Sequence, residues 1–251
     1  MSDNILSNID NGVMTVTLNR PEALNAFLPE MLVELTDIIK GAKAKGAKVI
    51  VLEGAGRAFT AGMDLKVLNG VVPKDGQLDP QFDEPGINCG RALRGSDVPI
   101  IAKVHGACFT GGLEVALSCD MIYTTKDTKF GDTHAKFGLR PSWGMSQTLP
   151  RAVGAQRAKD LSYTGRTFLG ADAVQYGIAL EAAEDKVALD ALVAERAAAI
   201  AVNSQGAIDA YADLYAYAAD NAPLEEATRE ELARAYEISD TAERLGTFLN
   251  R

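Results

Sequence analysis

Residues 5–18 fall into two β-rich runs, "ILSNID" and "VMTVTL", that meet at Asp10-Asn11-Gly12. Those turn residues tolerate positive φ angles, so the pattern predicts an N-terminal β-hairpin. Pro29 suits the first turn of a helix, and Leu32, Leu35, Ile38, Ile39 and Ala42 follow it at helical spacing. "KVIVLEG" (48–54) is a short continuous apolar run, the pattern of a strand covered on both faces. Beyond it the chain alternates loop, strand (99–104, "PIIAKV"), helix (about 112–119), strand (120–125, "DMIYTT") and further helix. Such alternation predicts a layered α/β fold.

Two stretches break this rhythm. Residues 70–90, "GVVPKDGQLDPQFDEPGINCG", are rich in Pro, Gly and Asp without periodicity and predict a long loop. From 186 onward the chain is Ala-rich, helical in period and free of strand-like runs, with Pro223 as a break. The expected division is therefore an α/β core over 1–185 and a helical C-terminal subdomain over 186–251. Tyr211 and Tyr215, at i and i+4, read as core or interface packing rather than a ligand site.

At 251 residues the chain is long enough to bury a substantial core. With 25 Lys and Arg against 34 Asp and Glu, its net charge of -9 argues against broad binding to nucleic acid or an anionic membrane. The first residues show no basic region followed by an apolar run, and no stretch approaches the roughly 20 apolar residues of a membrane span. A cytoplasmic protein is expected. Cys89, Cys108 and Cys119 fit neither a disulfide framework nor paired metal-ligand spacing, and read as free, buried thiols.

Several catalytic patterns fail on inspection. Gly54-Ala55-Gly56 follows a strand, but Phe59 stands where a dinucleotide fingerprint needs its third glycine. There is no phosphate loop and no Gly-x-Ser-x-Gly elbow, and His105 and His134 lack metal-ligand spacing. Two glycine-containing edges remain. "AFTAGMDL" (58–65) puts Ala61-Gly62 before Met63, and "TGGLE" (110–114) places Gly111 and Gly112 at a helix start, where the first N–H groups lack internal partners. Together they offer a pair of donors for one oxygen. Glu114 follows among small and apolar neighbours, and a carboxylate is seldom buried there without a partner or a task.

Five segments, "LNRPEALNAF" (18–27), "GAGRAFTAGMDL" (54–65), "VPIIAKVHGACFTGGLEVALSCDMIY" (98–123), "FGDTHAKFGLRPSWGMSQTLPRAVG" (130–154) and "TGRTFLGADAVQYGI" (164–178), together resemble the crotonase, or enoyl-CoA hydratase/isomerase, superfamily. The resemblance weakens over 70–90 and after 186. It implies a crotonase-like spiral of ββα units, with a helical C-terminal subdomain that assembles trimers or hexamers. It also implies an acyl-coenzyme A thioester substrate, with coenzyme A part of that substrate and no separate cofactor or metal. By motif position, the N–H groups of Met63 and Gly111 form the oxyanion hole, and Ala61, Met63, Asp64, Leu65, Lys66 and Gly111 line the coenzyme A site. Glu114 falls at the first catalytic glutamate, where an apolar pocket is expected to raise its pKa into a useful range.

The position of the family's second glutamate holds His134, 20 residues after Glu114. An imidazole exchanges protons near neutral pH and can orient water through one nitrogen, but it is bulkier and differently directed than a carboxylate. The leading expectation is hydration of an enoyl-CoA by Glu114 and His134. The alternatives are a one-base double-bond isomerase, a His-assisted hydrolase, and an acyl-CoA-binding protein without catalysis. His105 reads as structural. Asp132 reads as a solvated loop residue, with a helper role as the alternative. "RPSWG" (140–144) replaces a commoner glycine-rich version and is expected to reshape the acyl pocket around Trp143.

Overall fold

A computed structural model describes residues 3–68, 73–219 and 223–249. The hairpin forms as its sequence predicts: β1 (Ile5–Asp10) and β2 (Val13–Leu18) pair antiparallel around Asn11 and Gly12, both at positive φ (50° and 81°). Helix α1 (Pro29–Gly41) starts on its proline and buries Leu32, Leu35 and Ile39. Strand β3 (Val49–Gly54) is buried along almost its whole length, as expected of a run with no polar face.

A helix follows where a loop is expected. Helix α2 (Pro80–Arg94) is capped by the Asp79 side chain, which accepts from the Gln81 N–H, and has proline in its first turn. Its buried face consists of Asp83, Gly86, Cys89, Gly90, Ala92 and Leu93, so helical spacing is present but carried mainly by small and polar residues. A hydropathy pattern does not show it. Residues 70–72 of the expected loop lie outside the described residues.

The chain then gives β4 (Ile100–Val104), β5 (Ala107–Phe109), α3 (Gly111–Ala116), β6 (Met121–Thr125) and β7 (Lys129–Gly131), and a short 3₁₀ turn at His134–Phe137. Next come α4 (Met145–Val153), α5 (Ala155–Thr164), β8 (Phe168–Leu169), α6 (Gly170–Tyr176) and β9 (Glu181–Ala183). Two sheets result. One has the order β1-β2-β3-β4-β6-β9 and is parallel beyond the hairpin; the other has the order β5-β7-β8. Successive turns place β4 then β6 in the first sheet and β5 then β7 in the second, each pair followed by α3 or the 3₁₀ turn. This is the ββα repeat of the crotonase fold. Among the described residues the core runs through Leu18, Phe27, Leu32, Ile50, Leu52, Phe59, Ile100 and Phe130, drawn from both sheets, α1 and the loops between them.

Helix α7 (Lys186–Val202) is followed by α8 (Gln205–Ala219), α9 (Leu224–Ala233) and α10 (Thr241–Leu249), with Pro223 as the residue that caps α9. The chain divides into two compact units, Met1–Ala197 and Ala198–Arg251, so the boundary falls inside α7. Tyr211 and Tyr215 are exposed, with ring centroids 5.6 Å apart, and take no part in a core. The three cysteines are free; Cys89 and Cys108 are buried, and Cys119 is partly buried. Among the described residues no helix is long and apolar enough to cross a membrane.

Candidate active site

The first requirement of the site is a pair of backbone donors from separate loops. Thr60 and Cys108 form a parallel β-bridge that sets the 58–63 segment beside the approach to α3. Asn25 holds the near loop: its side-chain amide donates to the Ala55 and Ala58 carbonyls, and its own carbonyl accepts from Thr60 Oγ1. Met63 bridges Phe27, using the Gly62 carbonyl and the Asp64 N–H. Strand alternation then turns the Met63 N–H to the opposite side. An alanine Cβ at Gly62 would sit 3.4 Å from the Gly111 nitrogen, so the two donor loops are in contact. Gly111 opens α3, where its N–H has no helical acceptor. The preceding Thr110 has φ 50° and ψ -111°, a strained conformation for a non-glycine residue, and strain of this kind gathers at functional sites.

One turn into α3 stands Glu114, 2% exposed. Its Oε1 accepts the N–H groups of Trp143 and Met145, both at 3.0 Å. Its Oε2 is free of those bonds and lies 3.7 Å from His134 Nε2. On the far side of the ring, His134 Nδ1 is 2.7 Å from Asp132 Oδ1, and the second Asp132 oxygen accepts from Ser162 Oγ at 2.7 Å. Thr110 Oγ1 and Thr133 Oγ1 are hydrogen-bonded, which ties the start of α3 to the strand end that carries His134. Asp132 is 2% exposed, so it is a buried partner of His134 and not a solvated loop residue. Its burial follows from position: it directly follows β7 and bonds to α5, and neither fact is visible in a local hydropathy window.

The charges follow from this geometry. Burial pushes the Glu114 carboxyl above its ordinary range, against the opposing effects of His134 and the two N–H groups. Burial alone would lower the His134 imidazole. The hydrogen bond to Asp132 and the negative groups Glu114, Asp132 and Asp83 outweigh it and hold the ring above its usual value. Asp132 is held below the usual carboxylate range because the bonds from His134 and Ser162 outweigh its burial. Glu114 therefore holds a proton more readily than an ordinary carboxyl, His134 holds one more readily than an ordinary imidazole, and Asp132, which ionises more readily than usual, faces Nδ1 of the ring.

Glu114 and His134 open on a cavity of about 270 Å³ whose walls include Ala61, Met63, Leu65, Gly111 and Trp143. The structure thus brings six of the expected residues to one cleft: Ala61, Met63, Leu65, Gly111, Glu114 and His134. Asp64 and Lys66 are not among its walls. Asp64 instead pairs with Arg20 at 3.1 Å and caps the following turn through the Lys66 N–H. His105 is away from the cleft, with Nε2 2.9 Å from the Gly56 carbonyl, and burial lowers its pKa. Trp143 is part of the cleft wall. Its indole lies so close to α2 and α3 that a Cβ would come within 1.9 Å of it at Gly86 and within 2.5 Å at Gly111. The cleft also contains Asp83 and Ser142, which the sequence pattern leaves unmarked because they sit in the stretch read as a loop and in the altered glycine-rich segment.

The ββα spiral thus brings two loops with unpaired backbone N–H groups beside a buried carboxylate, the arrangement of an acid/base site. The sequence model of the Enoyl-CoA hydratase/isomerase family matches residues 8–247, and the chain belongs to that family, within the crotonase superfamily. It is 35% identical over 198 residues to probable enoyl-CoA hydratase 1, peroxisomal, of Arabidopsis thaliana, covering 78% of this chain and 72% of that one. It is 34% identical over 195 residues to 1,2-epoxyphenylacetyl-CoA isomerase of Escherichia coli, covering 76% and 73%. Among solved structures, an enoyl-CoA hydratase/carnithine racemase from Magnetospirillum magneticum superposes with a TM-score of 0.89 at 28% identity, covering all of this chain and 94% of that one. Enoyl-CoA hydratase from Bacillus anthracis gives 0.88 at 26%, covering 99% and 96%.

Proposed function

We propose that the chain adds water across the 2,3-double bond of an enoyl-CoA, with Glu114 and His134 as its acid and base. The observation that carries this reading is the free Glu114 Oε2 facing His134 Nε2 at 3.7 Å, too long for a direct hydrogen bond and close enough for both atoms to reach one water held beside them in the cleft. The Met63 and Gly111 N–H groups bind the thioester oxygen and stabilise the enolate charge, at roughly 3–4 kcal/mol per donor by analogy with other oxyanion holes. Neutral His134 takes a proton from the water at Nε2 as the water oxygen bonds to C3. Protonated Glu114 delivers its Oε2 proton to C2. The new imidazolium is stabilised by ionised Asp132, and proton exchange between Nε2 and Oε2 restores the starting state. No resident cofactor is needed, since coenzyme A arrives with the substrate. Lys136 and Arg140, exposed at the cleft, supply positive charge for its phosphates.

Turnover of crotonyl-CoA tests the assignment. Glu114→Gln keeps the shape but cannot cycle a proton, and the expected loss in kcat is about 10²–10⁴. Unchanged turnover would exclude Glu114 from the chemistry.

The family, which covers enoyl-CoA isomerases as well as hydratases, supports a second reading, in which Glu114 alone moves a proton between two carbons. His134→Ala separates the two: a hydratase loses about 10²–10⁴ in rate, whereas a one-base isomerase retains most of its activity on a 3-enoyl-CoA. A panel of 2-enoyl, 3-enoyl and 1,3-diketone thioesters read by mass spectrometry identifies the reaction, and binding without product across the panel would indicate a non-catalytic acyl-CoA carrier.

The exposed apolar residues of α8–α10 lead us to propose assembly into trimers or hexamers through this helical segment.

A further inference from the structure

The cleft holds one acidic side chain that makes no bond to the groups of the proposed reaction. Asp83 is 8% exposed, lies on the buried face of α2 and forms part of the cavity wall shared with Glu114 and His134. Its Oδ1 accepts from Ser142 Oγ at 2.9 Å. Among the described residues no other hydrogen bond or ion pair reaches this carboxylate, although Lys136 and Arg140 belong to the same cavity. Oδ2 is therefore without a hydrogen-bond partner among the described residues, in a side chain that lines the cavity. The cavity also has apolar walls, among them Leu78, Phe109, Leu139 and the indole of Trp143, beside the polar groups of Thr110, Thr133, Lys136 and Arg140. A carboxylate in such surroundings is costly unless something donates to it. Its location is fixed rather than incidental, because Gly86 lets α2 lie directly against Trp143 and Ser142 clamps the carboxylate from the adjoining residue.

We propose that Asp83 is a specificity residue, and that the acyl group taken by this cleft carries an O–H or N–H donor, a hydroxyl in the simplest case, which binds the free Asp83 oxygen. A purely hydrocarbon acyl chain would enter the same cavity and strip water from that oxygen without replacing its hydrogen bond. Discrimination of this type is steep, because the penalty falls on the buried polar group left unpaired.

The inference rests on the acyl-CoA reading, so its test uses binding as well as turnover. Calorimetry of butyryl-CoA and 4-hydroxybutyryl-CoA, which differ by one hydroxyl and cannot be hydrated, gives a ratio of affinities on the intact protein. The expected wild-type ratio favours the hydroxylated thioester by about 10- to 100-fold, the range of a hydrogen bond to a charged group. In Asp83→Leu the ratio is expected to fall to one or below, and in Asp83→Asn, which keeps an acceptor without the charge, to an intermediate value. The same order is expected for kcat/KM on 4-hydroxycrotonyl-CoA against crotonyl-CoA. A wild-type ratio near one, or a ratio that Asp83→Leu leaves intact, would overturn the inference. Failure of both thioesters to bind the wild type would instead remove the acyl-CoA reading beneath it. Circular dichroism of each variant checks folding, and the ratio within one variant is insensitive to the fraction folded.

Discussion

Glu114 and His134 are legible in the sequence by spacing, but the protonation logic of the pair comes from residues that spacing does not mark. Trp143 and Met145 fix which Glu114 oxygen is free, and Asp132 with Ser162 sets the basicity of His134. The Glu114 contacts join α3 to the start of α4 and the Ser162 contact joins the turn after β7 to α5, each across about 30 residues of chain. Asp132→Asn tests the arrangement. With the charge gone, burial dominates and the His134 pKa falls, so the limb of the kcat/KM profile governed by His134 moves to lower pH. Kinetics on crotonyl-CoA across the neutral range measure it, and a limb that stays in place would deny Asp132 its positioning role. Stability changes follow the same shifts. The raised His134 value stabilises the fold fully below its ordinary 6.5, and this is lost as pH rises through the folded value. The lowered Asp132 value stabilises it fully above 3.8, and this is lost as pH falls through the folded value. Both contributions are complete together between those limits, so the stability gap between wild type and Asp132→Asn is expected to be widest there.

At the scale of elements, the hairpin, α1, β3 and the alternating core were readable because large apolar residues repeat at the strand or helix period. Helix α2 was not, for a physical reason. Its inward positions are kept small so that Trp143 can approach, and a helix whose buried face contains glycine, alanine and aspartate has little apolar signal. This gives a sharp test at Gly86. An alanine Cβ there would meet the indole at 1.9 Å, so Gly86→Ala forces Trp143 or α2 to move. The expected cost is about 1–3 kcal/mol, in the range of overpacked cores, against which the better helix propensity of alanine offsets about 1 kcal/mol. Trp143 is the single tryptophan of the chain, so intrinsic fluorescence reports its environment without ambiguity. A red shift in emission with a lowered thermal midpoint is the expected result; an unchanged spectrum and midpoint would show that the close packing of α2 on the indole is not maintained in solution.

For the whole molecule, the two compact units differ in how they meet the hydrophobic requirement for folding. The first, Met1–Ala197, has a continuous core of large side chains between sheet and helices. Among the described residues of the second, Ala201 and Ala210 are the buried ones, while Leu224 and Leu232 are 82% and 83% exposed and Val202 and Tyr215 are 70% and 69% exposed. Helices with so little enclosed apolar surface gain little from folding alone, and the assembly proposed above is the source of the missing burial. The helical pattern after 186 is plain in the sequence, whereas the surface it leaves uncovered appears only once the helices are built. Native mass spectrometry and sedimentation are therefore expected to give a trimer or a multiple of it. Replacing Leu224 and Leu232 together with Asp is expected to shift the assembly toward monomer at low protein concentration, because each carboxylate would have to enter an apolar contact unpaired. A wild-type chain that sediments as a monomer at micromolar concentration would remove these helices from any role in assembly.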